Sequence, residues 1–242
     1  MSFLSDLTGG FVGGLAKTAL LGYLLNQVTK SMASTGSTSK PDAQTRMQNN
    51  ANPENRIPIV YGQATLGGII TDAVMASDNL TMYFCITICE KTGKVNLGTG
   101  ADSTFTFKDI YIDDNRIVFN EDGVTLNHTV DRDGNVDKSF AGLIQVHCYA
   151  GNSSMPTKPS GYANFGLKLA KEVMPGWSDT HAMGNLVFAI VKMKYDTAKG
   201  LTKLGQFKFT IINSMNQPGD CLYDYMTNTI YGASIPAAEI NI

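Results

Sequence analysis

Leu80-Thr81-Met82-Tyr83-Phe84-Cys85-Ile86-Thr87-Ile88-Cys89-Glu90 is the stretch on which the fold turns. Met82, Phe84, Ile86 and Ile88 alternate with Tyr83, Cys85, Thr87 and Cys89. Successive side chains of a strand point to opposite faces. Both of these faces are apolar or nearly so, which predicts a central strand covered on both sides. The runs around it have the same character. IPIVYGQATLGGIITDAVM (57–75) contains two strand-like pieces about Gly67-Gly68, and FKDIYIDDNRIVF (107–119) reads as strand, turn, strand, with Asp113-Asp114-Asn115 as the turn. GLIQVHCYAG (142–151), NLVFAIVKMKYD (185–196) and GQFKFTIIN (205–213) are three more strands. A helical pattern covers GYANFGLKLAKEVM (161–174) and stops at Pro175-Gly176; DCLYDYMTN (220–228) is a second. With roughly eight to ten strands and two or three helices, the fold class is α+β, predominantly antiparallel β.

Composition narrows the function classes. Of 242 residues, 19 are basic and 21 acidic, so charged residues make up 17% and the net charge is −2. Soluble domains carry about 25%. No basic excess exists to release counterions, which argues against a nucleic-acid binder held by phosphate contacts. At 43% hydrophobic residues with 24 glycines, the chain can build a core in one domain or two small ones. Low charge with abundant small polar residues fits many short strands and turns, or a surface covered by other subunits.

Residues 7–29 are mostly apolar, with Lys17 the one charge among them. A membrane span is disfavoured by the glycines and the central lysine, and a signal peptide by the early Asp6. Leu15, Ala19, Tyr23 and Val28 recur at helical spacing, with Phe11, Leu20 and Leu24 adding to the apolar face. The pairs Gly9/Gly13 and Gly10/Gly14 would let two helices approach closely. Residues 31–56 are dominated by Ser, Thr, Asn, Gln and Pro and read as a connector without a core. A helix ahead of such a linker is not pinned to the domain behind it. The expected organisation is therefore 1–30 an apolar helical assembly arm, 31–56 a flexible polar linker, and 57–242 a β-rich domain. The arm's contacts are assigned to Phe11, Leu15, Ala19, Leu20, Tyr23 and Leu24.

No catalytic constellation stands out. G-x-S-x-G, G-x-x-x-x-G-K-[ST], H-E-x-x-H and a helix-opening G-x-G-x-x-G are all missing from the sequence. His147 and Cys148 are adjacent on a strand, so they face opposite ways and cannot pair. The four cysteines are scattered and read as buried hydrophobes. Asp131, Asp133 and Asp137 resemble a calcium loop at first glance, but the glycine falls at the fourth place and no glutamate closes the loop. A polar hairpin turn is the default reading, with a loose cation site as its alternative. Trp177, the single tryptophan, is expected to cap the end of the 161–174 helix by apolar contact. No cofactor is expected, and the chain is read as a non-enzyme.

The two ends of the domain carry a resemblance. Near the start stand Pro58, Tyr61-Gly62 and Gly67-Gly68; near the end Asp224-Tyr225-Met226-Thr227-Asn228, Tyr231-Gly232, Ile235-Pro236 and Glu239-Ile240. With the intervening strands and the Ile110-Tyr111-Ile112 hairpin, this order resembles the N-terminal hub portion of phage tail tip attachment (J-like) and central tail hub proteins. The resemblance covers about 57–242, and its C-terminal signature is the specific part. It implies a hub or barrel-like domain in a structural protein of the virion tail, made in the host cytoplasm. Such a subunit forms a homo-oligomer, a trimer first of all. It contacts other tail proteins (tube, baseplate or fibre subunits), lines the path of passing DNA without reading its sequence, and links the tube to the parts that attach to the host. The family continues for hundreds of residues past its I-P-x-x-E-I-D, and Asn241 replaces the final Asp, so receptor binding is not carried over. In the signature, Leu222, Tyr225 and Met226 fall on one helical face, Gly232 permits a tight turn, and Pro236 starts or blocks an element. Two readings of Tyr61, Gly62, Leu222, Tyr225, Thr227, Asn228, Tyr231, Gly232, Pro236 and Glu239 stay open: they close the fold, or they meet another subunit. The alternatives from other classes are a carbohydrate-binding or adhesin module, which the near absence of Trp opposes, and a tail-associated cell-wall hydrolase.

Overall fold

The structure, a computed structural model, describes residues 56–240. The arm and nearly all of the linker lie outside the described residues. Eleven strands form two sheets: β1 Gln63–Leu66, β2 Ile69–Met75, β3 Thr81–Glu90, β4 Phe105–Ile112, β5 Asn115–Phe119, β6 Leu126–Val130, β7 Val136–Asp137, β8 Ile144–Gly151, β9 Pro156–Thr157, β10 Leu186–Lys194 and β11 Phe207–Asn213. The first sheet runs β1-β11-β4-β5-β6-β7 and the second β2-β3-β10-β8-β9. All neighbouring strands within the sheets pair antiparallel. Helix is confined to α1 Ala170–Val173, α2 Pro218–Thr227 and a 3₁₀ turn at Ala237–Glu239. The fold is thus α+β with antiparallel β predominant, as the alternating runs predict.

The strand over 81–90 is central, between β2 and β10. Met82, Phe84, Ile86 and Ile88 enter one core cluster with Phe107 and Ile110 of β4 and Phe207, Phe209 and Ile211 of β11. The two sheets therefore bury their apolar faces against each other. The opposite face of β3, with Tyr83 and Cys85, is covered by Ala170, Met174 and Trp177 in a second cluster with Tyr149, Phe188 and Ile190. Segment 161–185 is the lid of that face.

Gly67-Gly68 separates two strands that belong to different sheets, since β1 is an edge of the first and β2 an edge of the second. Gly68 sits at φ +73°, and a Cβ there would stand 2.6 Å from Ile86 Cγ2 and 2.9 Å from the Thr87 carbonyl. Only glycine lets the chain turn so close to the central strand. A second seam joins the sheets where Thr125 bridges Gln145 and the Val146 N–H donates to the Val124 carbonyl. The result is a two-sheet sandwich whose sheets are joined at these two places. The β4–β5 hairpin closes with Asp113 and Asp114 at φ 47° and 67°, the double positive φ of a two-residue hairpin turn matched to strand twist.

One expectation fails. The helix anticipated over 161–174 shrinks to the single turn of α1. Gly161 and Gly166 take positive φ of 91° and 61°, which breaks the i to i−4 ladder. Asn164 Oδ1 accepts the Lys158 N–H, and the Tyr162 hydroxyl reaches back to the Phe119 N–H. These polar contacts outcompete a helix whose glycines lower its propensity. Trp177 consequently caps no long helix. Its Nε1 donates to Asp72 at 2.8 Å, and its ring stacks on His181 at 5.4 Å between centroids.

Phe209 is fully buried, edge-to-face with Phe107 at 6.3 Å and stacked on Phe207 at 6.2 Å. Phe209→Ala is expected to lower unfolding free energy by about 3–5 kcal/mol, read from urea denaturation. A loss under about 1 kcal/mol would show that the two sheets do not share this core.

Candidate assembly surface

The signature residues at the two ends of the sequence meet at one carboxylate. Asp224, in the middle of α2, is 6% exposed. Its Oδ2 accepts the Tyr61 hydroxyl at 2.8 Å and the Tyr231 hydroxyl at 2.6 Å, and its Oδ1 accepts the Gly93 N–H at 2.9 Å. One turn earlier, Asp220 Oδ1 accepts the Leu97 N–H at 2.6 Å. The two aspartates thus pin the β3–β4 loop. Gly93 has no room for a side chain, because a Cβ would lie 2.5 Å from Asp224 Oδ1. A buried carboxylate is tolerable when charge-assisted hydrogen bonds replace its water, and three donors do so here.

A second polar group stands beside it. Fully buried Asn213 donates from Nδ2 to the Val60 carbonyl at 2.7 Å and to Thr92 Oγ1 at 2.8 Å, while its Oδ1 accepts the Met215 N–H. Thr92 and Ser103 bond each other. Gly62, at φ +67°, accepts the Asn213 N–H and donates to the Met215 carbonyl. The start of the domain, the β3–β4 loop and the end of β11 are therefore joined by hydrogen bonds.

The rest of the signature completes the C-terminal tail. Asn228 caps α2, and its side-chain oxygen accepts the N–H groups of Ile230 and Tyr231. The tail folds back so that Ala233 and Ile235 donate to the helix-end carbonyls of Tyr225 and Met226, groups that a helix leaves orphaned. Gly232 makes the return possible, since a Cβ would come within 2.1 Å of the Tyr225 carbonyl oxygen. Thr227 Oγ1 bonds the Tyr223 carbonyl, Pro236 precedes the 3₁₀ turn, and Glu239 is exposed.

Two signature residues behave differently from the rest. Leu222 is 60% exposed and Tyr225 51%, and Ile230 just beyond the helix is 72% exposed. Met226 is half-buried. Among the described residues, nothing from α2 or the tail enters either apolar core cluster. The helix lies polar face inward and apolar face outward. Leu222 and Tyr225 are thus not buried in the described domain, whereas Tyr61, Asp224, Asn228 and Tyr231 are joined to it by hydrogen bonds. The sequence held a signal for this. Like charges at i and i+4 weaken a helix, so Asp220 and Asp224 in one short helix point to partners elsewhere.

The remaining candidates are placed as follows. Phe11, Leu15, Ala19, Leu20, Tyr23 and Leu24 lie outside the described residues. Asp131 is occupied by its own hairpin turn, accepting the N–H groups of Asp133 and Asn135 and the Asn135 side-chain amide. Asp137 is occupied by Ser139. Asp133 is exposed beside them. Among the described residues no group of three or more His, Cys, Asp or Glu side chains is placed to hold a metal ion. Cys148 faces the inter-sheet core. Half-buried His147 lines a cleft of about 10 Å³ with Lys158 and Lys168, room for about one water. Burial, then the positive charges of Lys168, Lys158 and Lys192, push its pKa down to about 4, so it is neutral at physiological pH. Among the described residues no helix is long and apolar enough to cross a membrane.

No family model matches the sequence, and no curated protein matches it. Among solved structures, the chain is similar to one from "Virion of native gene transfer agent (GTA) particle", with a TM-score of 0.39 and 14% identity. The match covers 87% of this chain and 38% of that one, so this chain spans well under half of its length.

Two predictions follow from the Asp224 site. Asp224→Ala strands two hydroxyls and an amide, and is expected to cost about 2–4 kcal/mol of stability in urea unfolding. Alkali probes the same site. Burial, and after it the Asp224 carboxylate accepting each proton, raise the Tyr61 and Tyr231 pKa values far above the usual range. Unfolded phenols ionise near about pH 10, so above that the fold holds more protons than the unfolded chain. Stability from these tyrosines is present in full below about pH 10 and declines as pH rises. Wild type is expected to lose stability more steeply between about pH 10 and 12 than the Tyr61→Phe/Tyr231→Phe variant, and equal slopes would refute the assignment.

Proposed function

We propose that this chain is a structural subunit of a phage-like virion tail, part of the distal hub or baseplate that links the tail tube to receptor-binding parts and borders the DNA exit path. The observation that carries the reading is the convergence of the tail-hub-like motifs. Pro58-x-x-Tyr61-Gly62 and Asp224-x-x-Thr227-Asn228-x-x-Tyr231-Gly232 are separated by most of the domain in sequence, yet Tyr61 and Tyr231 share the Asp224 carboxylate. A signature that forms one hydrogen-bonded site is more than a chance string of residues. The outward apolar face of α2 and the charge content of 17% suit a subunit that buries surface against neighbours. In this reading residues 1–30 are the assembly arm, 31–56 its linker and 57–242 the hub domain; the subunit is a homo-oligomer, with a trimer as the first arrangement to test.

Deleting residues 1–30 is expected to leave circular dichroism and thermal unfolding of the remainder unchanged while abolishing incorporation into particles, followed by immunoblotting of purified virions. Normal incorporation of the truncated chain would sink the arm assignment. Immunogold electron microscopy places the subunit: label at the tail tip supports the hub reading, and label on capsid or nowhere on the particle removes it. Zymography on peptidoglycan addresses the hydrolase alternative, since clearing by the purified chain would contradict a purely structural role.

A further inference from the structure

We infer that the outward face of α2, with Leu222 and Tyr225, together with the exposed Ile230 just beyond the helix, is the seat of residues 1–30 of a neighbouring copy of this chain; the inference rests on the assembly-arm reading above and adds the surface on which the arm lands. Three large apolar side chains stand at 60%, 51% and 72% exposure within nine positions. From Asn216 to Ile240 the charged residues are Asp220, Asp224 and Glu239, and both aspartates are turned inward and buried. The outer face of the helix is therefore apolar and nearly uncharged. The segment 7–29 is its counterpart, apolar at helical spacing with Lys17 its one charge. Charge-poor surfaces match because neither strands an unpaired ion on contact.

The place where the chain joins the domain supplies the second argument. Pro58 accepts the Glu90 N–H, and Tyr61 bonds Asp224 on the inner side of α2. The connector thus enters the domain within a few residues of Tyr61, on the side of α2 opposite its outer face. Twenty-six residues of flexible coil would have a root-mean-square span of ~28 Å and could extend to at most roughly 85 Å, enough to reach beyond the subunit that carries them. That length suits the face of the next subunit.

The test uses the full chain with Cys221→Ser, so that no native thiol stands beside the patch. One preparation carries Leu24→Cys and another Tyr225→Cys. Mixed and mildly oxidised, the two are expected to give a covalent dimer containing one chain of each, distinguished by a mass tag. In a chain carrying both substitutions, a ladder is expected rather than an internal link. Independently, Leu222→Asp/Ile230→Asp is expected to weaken self-association at least tenfold by light scattering. Both positions are exposed, so unchanged circular dichroism is expected. An internal link alone, no link between the two positions, or unaltered self-association of the aspartate variant overturns the inference, as does a wild type that is monomeric at all concentrations. If deleting 1–30 blocks incorporation while the aspartate variant associates normally, the arm's assembly role stands and this surface is removed from it.

Discussion

The domain depends on one buried carboxylate. Asp224 accepts three hydrogen bonds from three separated parts of the chain: Tyr61 at the start of the domain, Gly93 in the loop after the central strand, and Tyr231 in the C-terminal tail. The two sheets would still bury their faces without it, because Phe107, Phe209, Ile86 and their neighbours form that core by apolar contact alone. What apolar contact does not supply is a hold on α2 and the C-terminal tail, none of whose residues enters either cluster. Helix α2 adds nothing to either cluster, so its position is set by polar groups. A hydrophobic surface specifies burial; a carboxylate with three directed donors specifies geometry as well.

That division of labour explains the inverted amphipathicity of α2. A surface helix normally turns its apolar stripe to the core and its charges to water. Here Asp220 and Asp224 are spent inward on the Leu97 and Gly93 amides and the two phenols, which leaves Leu222 and Tyr225 facing out. The arrangement is costly for an isolated subunit, since it exposes apolar area. It is reasonable for a subunit whose neighbours cover that face. The return of the tail along the helix end ties Ala233 and Ile235 to the Tyr225 and Met226 carbonyls, and leaves Ile230 exposed.

The sheets were legible because strand alternation is a local signal. The 81–90 run, the Asp113-Asp114 turn and the three late strands each follow from residues within a few positions of one another. The pairing of β1 with β11 and the change of sheet at Gly67-Gly68 follow from long-range register, which no local pattern states. The 161–174 segment misled for a related reason. Its Leu, Ala, Lys and Glu are good helix formers, but its glycines, the bond of Tyr162 to the distant Phe119 N–H and the local bond of Asn164 to the Lys158 N–H keep most of it out of a helix. At the candidate surface, periodicity grouped Leu222, Tyr225 and Met226 correctly on one face. Which way that face points was decided by donors on Tyr61 and Gly93, more than 120 residues away in sequence.

Low charge content began as a bare exclusion and now has a local cause. The domain spends carboxylates on structure: Asp224 and Asp220 on α2, Asp131 and Asp137 on the β6–β7 hairpin, Asp113 on the β4–β5 turn through the Gln206 N–H. Each such group fixes backbone donors in place of binding water. The exposed ion pair Lys171–Asp179 adds little by comparison, because exposed pairs are screened and cost side-chain entropy. A chain that uses its acids this way leaves fewer of them to keep its surface apart from other surfaces. Net charge near zero favours association, and the outer face of α2, with Leu222 and Tyr225 exposed, carries no charge to oppose it.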